Sequence, residues 1–189
     1  MNIGIDIDDT IAKSLEATDY YAKEYTEKIL KRKFTMKRVD EYTQMCFLDV
    51  YGWTLKEDED FFGLYQYKIL QNAKPKEYVK EVIEKISKNN KIIIITAREN
   101  ELKDITIKWF ETNKILFDEI IFGQKDKVES VINNNIELFI DDNQNICKSV
   151  NEIGVKTLMM DSRTNSKTEL EGIQRIYTWK DIEKIIENR

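Results

Sequence analysis

Asp6 and Asp8 stand at the end of Met-Asn-Ile-Gly-Ile-Asp-Ile-Asp-Asp-Thr-Ile, the opening stretch of the chain, in which isoleucines alternate with small or acidic residues. Side chains alternate along a strand, so Ile3, Ile5 and Ile7 face one way and Gly4, Asp6 and Asp8 face the other. A buried strand that runs out into acid can offer a carboxylate nucleophile to a phosphate ester. The plain alternative is a strand closed by a solvated turn, with Asp9 or Thr10 capping the next helix. Further polar residues follow later apolar runs: Thr96 after Ile92–Ile95, Asp141 and Asp142 after Ile136–Ile140, and Lys127 one turn into a helix beyond Glu119–Phe122. If these meet in one crevice, carboxylates about 4 Å apart repel by roughly 4 kcal/mol at an effective dielectric near 20, so something positive must sit among them. Hard oxygen donors, no histidine and no paired thiols point to Mg2+. Lys127 and the Thr96 hydroxyl could hold the remaining phosphate oxygens.

The elements that must position these groups follow from hydrophobic period. After Thr10 the pattern turns helical through about Leu30, and from Lys31 to Thr54 it is irregular, with short helices and loops expected. Thr54 followed by Glu57 reads as a helix start, opening an aromatic helix to about Gln71, and Pro75 opens another that ends near Asn89. From Lys91 onward strands alternate with helices: a helix over 97–113, a strand over 119–122, a helix over 126–133, a strand over 136–140, a helix over 143–153, a strand over 155–160, an edge strand over 173–177 and a last helix capped by Thr178 and Asp181. Such alternation predicts an α/β fold, a parallel sheet between layers of helices, because right-handed crossovers set a helix between successive strands. Ligands of such sheets bind beyond the carboxyl ends of the strands. No strand is evident between residues 12 and 90. The expected organisation is therefore a core of 1–11 and 91–189 with a helical insertion of 12–90.

Bulk composition narrows the function. The chain has 189 residues, 41% of them hydrophobic, enough for one good core and an accessory lobe. A net charge of −5 argues against a nucleic-acid polymer as partner, since phosphate contacts need a basic surface. Neither a leader pattern nor an apolar run of membrane-spanning length is evident, so no membrane partner and a cytoplasmic location are expected. Cys46 and Cys147 are far apart and read as buried free thiols. With no histidine in the chain, any general acid or base must be a carboxylate, lysine, tyrosine or cysteine.

The ordered set of motifs resembles the haloacid dehalogenase-like phosphatases. Their first motif, a strand followed by Asp-x-Asp-x-Thr, is matched by Asp6-Ile-Asp8-Asp9-Thr10; the second, an apolar strand ending in Thr or Ser, by Ile92–Thr96; the third, a lysine, by Lys127 or, less well, Lys125; the fourth by Ile140-Asp141-Asp142. Asp9 departs from the pattern, since many relatives have glycine there. The resemblance implies a three-layer Rossmann-like core with a small helical cap inserted between the first two motifs. It also implies that Asp6 attacks phosphorus and forms an aspartyl-phosphate, while Asp8 protonates the leaving oxygen and then activates water. Asp6, the main-chain carbonyl of Asp8, and Asp142 with Asp141 beside it would hold Mg2+.

Within that family the opening Ile-Gly-Ile-Asp-Ile-Asp-Asp-Thr, the Thr96-Ala-Arg98 sequence and the Asp141-Asp142 pair look most like the 5'-nucleotidases and deoxyribonucleotidases and their bacterial relatives. The implied substrate is a small phosphorylated metabolite, a nucleoside or deoxynucleoside monophosphate, with Thr10, Thr96, Arg98 and Lys127 as candidate contacts. Phe47, Trp53, Phe61, Phe62 and Tyr65 could stack a nucleobase or simply fill a core, and the basic run from Lys28 to Arg38 could draw in an anion or be a solvated helix end. Two alternatives are a phosphatase of another small metabolite and a non-catalytic protein of the same fold that binds a nucleotide or partner. A phosphoacceptor signalling domain fits poorly, because it has no use for Asp8 or for so long an insertion.

Overall fold

Six short apolar runs pair side by side, all parallel, in the computed structural model, which describes residues 1–37 and 47–187. They are β1 (Asn2–Ile5), β2 (Lys91–Ile95), β3 (Glu119–Ile121), β4 (Leu138–Asp141), β5 (Lys156–Met160) and β6 (Gln174–Ile176), in the order β3-β2-β1-β4-β5-β6. The first strand is therefore central, with Ile3 beside Ile92 and Leu138, and Ile5 beside Ile94 and Ile140. Ile92 to Ile95 are all 0% exposed, which requires cover on both faces of the sheet. Each such side chain taken from water contributes about 1.5–3 kcal/mol, so this run alone anchors the sheet. One face is filled by Ile93, Ile95, Val131, Ile136, Phe139 and Val150. The α/β fold with a parallel sheet expected from the sequence is the observed one.

The chain divides into two compact units, Met1–Lys13 with Pro75–Arg189, and Ser14–Lys74. The first contains the whole sheet together with α4 (Val79–Ile86), α5 (Lys103–Asn113), α6 (Val128–Asn133), α7 (Gln144–Glu152) and α8 (Trp179–Glu187). The second, inserted in sequence between β1 and β2, has α1 (Ser14–Glu24), which widens into a π-helical turn over Tyr25–Ile29, then α2 (Phe47–Tyr51) and α3 (Leu55–Asn72). Its interior is aromatic. Phe61 lies 4.8 Å from Trp53, 5.5 Å from Tyr65 and 5.6 Å from Tyr25, centroid to centroid, and the Trp53 indole donates to Thr26 Oγ1. Thr54 and Glu57 form the reciprocal capping box that starts α3.

Element boundaries differ most from the sequence reading in three places. Neither Asp9 nor Thr10 caps α1: Ile11 N and Ala12 N both donate to Ile7 O, so the chain turns back on itself before the helix begins at Ser14. Asp9 takes φ 58°, a left-handed conformation open to glycine and tolerated by aspartate. Pro75 sits in a bridge with Ala12, and α4 starts only at Val79, so residues 75–90 fall within the sheet-bearing unit although the sequence reading counted them with the insertion. Residues 97–99 run extended, followed by a 3-10 turn at Asn100–Leu102, so α5 begins at Lys103. Arg38 and Cys46, named above, lie outside the described residues; Cys147 is a buried free thiol. No helix among the described residues is long and apolar enough to cross a membrane.

Candidate active site

Because β2, β1 and β4 are adjacent and parallel, their carboxyl ends lie on one edge of the sheet, and Asp6, Thr96 and Asp141 arrive there together. The pairing continues one residue past β1, where Asp6 N donates to Ile140 O at 3.0 Å. Lys127, the residue just before α6, reaches into the same place: its ammonium donates to Asp6 Oδ1 at 2.5 Å and Asp141 Oδ2 at 2.7 Å. All three are buried, at 6%, 3% and 1% exposure for Asp6, Lys127 and Asp141. Lys125 is exposed and pairs with Glu99, so of the two lysines it is Lys127 that meets the acids. The other oxygen of Asp141 accepts from Asn143 N at 2.8 Å. Underneath, the Lys127 ammonium stands 5.9 Å from the Phe139 ring centre, and that ring passes so close to Gly4 that a Cβ there would meet it at 2.9 Å.

Burial pushes the Asp6 carboxyl up to about 7; Lys127 draws it down, and Asp141 and Asp8 add to the rise. Burial also works against the charge on Lys127, but Asp141 and Asp6 outweigh it and leave the ammonium harder to deprotonate than usual. Asp142 rises well above the ordinary carboxylate range, first through burial and then through the neighbouring charges of Asp9, Asp141 and Asp6, against a hydrogen bond with Ser162. One lysine does not neutralise this group. Asp6, Asp141 and Asp142 can each turn a carboxylate oxygen to within 4.8 Å of the others, the only such acidic group among the described residues. A donor set of carboxylate oxygens alone, still short of positive charge, fits a hard divalent cation such as Mg2+.

Asp8 lies outside this trio. Its carboxylate accepts from Arg98 Nε at 2.9 Å and Nη2 at 2.6 Å, a two-pronged pair, while Arg98 Nη1 donates to Thr106 Oγ1 on α5. Thr96 is fully buried, and its Oγ1 accepts from Arg98 N at 3.2 Å. Thr10 is also fully buried; its carbonyl accepts from the Trp179 indole, and its hydroxyl has no hydrogen-bond partner among the described residues. The edge thus brings together Asp6, Asp141, Asp142 and Lys127 as one group and Asp8, Thr96 and Arg98 as a second beside it. Of the aromatic candidates in the inserted unit, Trp53, Phe61 and Tyr65 are buried in its core, and Phe47 and Phe62 are half-buried against each other. In the basic run, Lys28 pairs with Glu24 and Arg32 with Glu57.

Sequence reasoning missed two supports of the acid group. Asn165, 1% exposed in the loop after β5, donates to Asp142 O at 2.7 Å and Met160 O at 2.8 Å. Arg175 on β6 braces that loop through Asp161 Oδ1, Asn165 Oδ1, Asn165 O and Thr168 O. Lys76 donates to Asp161 O at 3.2 Å; burial lowers its pKa against the charges of Asp9, Asp142 and Asp161. Asn165 lies in an irregular loop, where period carries no signal, and Arg175 on a three-residue edge strand, where the pattern marks a strand but not the partners of its side chains.

No family model matches the chain. A nucleotidase of Clostridium acetobutylicum is 32% identical over 188 residues, covering 99% of this chain and 94% of that protein. The chain belongs to the same family as this nucleotidase. A Bacillus subtilis protein provisionally named a nucleotidase, YqfW, is 29% identical over 95% of this chain and 90% of its own length. Among solved structures, a haloacid dehalogenase-superfamily hydrolase from Geobacter sulfurreducens superposes with a TM-score of 0.68 at 14% identity, covering 98% of this chain and 95% of that one. This nucleotidase-family chain therefore shares its fold with a structure whose sequence differs from it at most positions.

Proposed function

We propose that this chain is a Mg2+-dependent phosphomonoester hydrolase of the cytoplasm, a 5'-nucleotidase acting on nucleoside or deoxynucleoside monophosphates. The observation that carries the chemistry is the Lys127 ammonium bridging Asp6 and Asp141 at the sheet edge, with Asp142 beside them. The nucleotide as substrate rests on the 32%-identical C. acetobutylicum nucleotidase. Asp6 attacks phosphorus, the ester P–O bond breaks, and the departing oxygen takes a proton from Asp8. Water then attacks the aspartyl-phosphate, gives its proton to Asp8, and the P–O bond to Asp6 breaks, releasing phosphate and restoring both carboxyls. Lys127 holds positive charge where phosphoryl oxygens gather, and Thr10 beyond β1 and Thr96 beyond β2 are the candidate hydroxyl donors to them. Asp6 and Asp142, with Asp141 and the Asp8 carbonyl, would hold Mg2+, which when bound would neutralise charge developing on the phosphoryl group. The Ser14–Lys74 unit takes the part of a cap, a reading supported by its insertion between the first two motifs.

The test is steady turnover of nucleoside monophosphates with release of inorganic phosphate. Asp6→Asn should lower kcat by at least about 10⁴-fold, since it removes the nucleophile of an otherwise very slow reaction. Turnover that survives this substitution, or a wild-type chain inert to every nucleoside monophosphate, ends the nucleotidase reading.

A further inference from the structure

We infer that Arg98 is a positioning residue for Asp8, fixing its carboxyl where, protonated once the negative charge of the phosphate arrives beside it, it can pass that proton to the leaving-group oxygen. This rests on the hydrolytic reading above and goes beyond it, since it makes Arg98 a partner of the acid rather than of the substrate. All three guanidinium nitrogens are engaged, Nε and Nη2 with the two oxygens of Asp8 and Nη1 with Thr106. The fork edge that would grip a phosphate is thus taken by a carboxylate.

The backbone of Arg98 is pinned as well: its N donates to Thr96 Oγ1 at 3.2 Å, and its O accepts from Gly123 N at 2.8 Å. The segment 97–99 is extended rather than helical, and α5 begins far enough along to bring Thr106 to the guanidinium. The pair is lopsided in burial, with the Arg98 side chain 4% exposed and that of Asp8 39% exposed. A half-solvated ion pair adds little to stability, and burying a guanidinium to hold one is costly. The same arrangement makes sense as a rigid clamp on an exposed acid, because a misplacement of about 1 Å in a reacting group can cost about 100-fold in rate.

Leaving-group dependence separates this role from its rivals. Arg98→Gln and Arg98→Lys would be assayed in the full chain with Mg2+ on p-nitrophenyl phosphate, phenyl phosphate and a nucleoside 5'-monophosphate. Nitrophenolate departs with little help from an acid, whereas an alkoxide needs the proton. For Arg98→Gln, kcat/KM should fall by less than about 10-fold on the nitrophenyl ester, by more on the phenyl ester and by about 100-fold on the nucleotide, with Arg98→Lys recovering part of each loss. A uniform loss on all three, as from a phosphate contact or a misfolded fraction, overturns the inference. So does a loss confined to the nucleotide with both aryl esters equal, as from a nucleoside contact. Thermal melting tests the pairing without turnover: adding Asp8→Asn to Arg98→Gln should shift Tm no further than either change alone, and additive shifts overturn the proposal. A wild-type chain that turns over none of the three esters instead sinks the hydrolytic reading, and the positioning role with it; failure of the positioning role alone leaves the wild type active.

Discussion

Asp6 is the residue with the most contradictory surroundings. It is nearly enclosed, bound to one ammonium and close to other acids, and its carboxyl titrates near 7 in the metal-free chain. A folded-state value above the ordinary carboxylate value means that the folded chain holds this proton more tightly than the unfolded one. The corresponding stabilisation is complete below about pH 4 and is lost as pH rises through about 7, and Asp142, also displaced upward, acts in the same sense. Metal-free protein should therefore need less denaturant to unfold at pH 7.5 than at pH 5. Asp6→Asn should flatten that trend, and saturating Mg2+ should reverse it, because a bound cation favours the ionised carboxylates. Urea titrations at a series of pH values, with and without Mg2+, read this directly.

Two elements hold the group in place by different means. On β1, Gly4 is required by proximity rather than by backbone angle: the Phe139 ring and Ile136 occupy the space a side chain would need. Gly4→Val should destabilise the chain by about 1–3 kcal/mol through overpacking. Since Phe139 underlies Lys127, catalysis should fall along with stability; urea melts and kcat would be compared. After β5, the loop braced by Arg175 holds Asp142 through Asn165. Asn165→Ala should weaken Mg2+ binding by about 10–100-fold, as loss of an outer partner of a metal ligand typically does. Calorimetric titration with Mg2+ measures it, and unchanged affinity would detach this loop from the metal site.

The two compact units have separate interiors, one built on a parallel sheet and one on aromatic rings. Every acid assigned to the cation belongs to the sheet-bearing unit. Phe61→Ala should therefore cost about 3–5 kcal/mol of stability by opening a cavity among Tyr25, Trp53 and Tyr65. Below the melting transition, Mg2+ affinity should stay within about two-fold, because no acid of the cation group belongs to the unit whose core is opened and sites without shared partners act independently. Thermal melting and calorimetry on the one variant check both parts.

Much of this molecule is legible in one dimension. Continuous β-branched runs such as Ile92–Ile95 can only be strands covered on both sides. Strand-helix alternation then forces parallel pairing, and parallel pairing puts the residues that end those runs, Asp6, Thr96 and Asp141, on one edge. The residues that depend on distance through space could not be read this way. That Lys127 meets Asp6 while Lys125 turns to Glu99, that Arg98 grips Asp8, that Asn165 and Lys76 flank Asp142 and that residues 75–90 join the sheet-bearing unit are outcomes of loops and turns without period. Their side chains find partners only once the sheet has set the distances, and short-range pattern contains no measure of those distances.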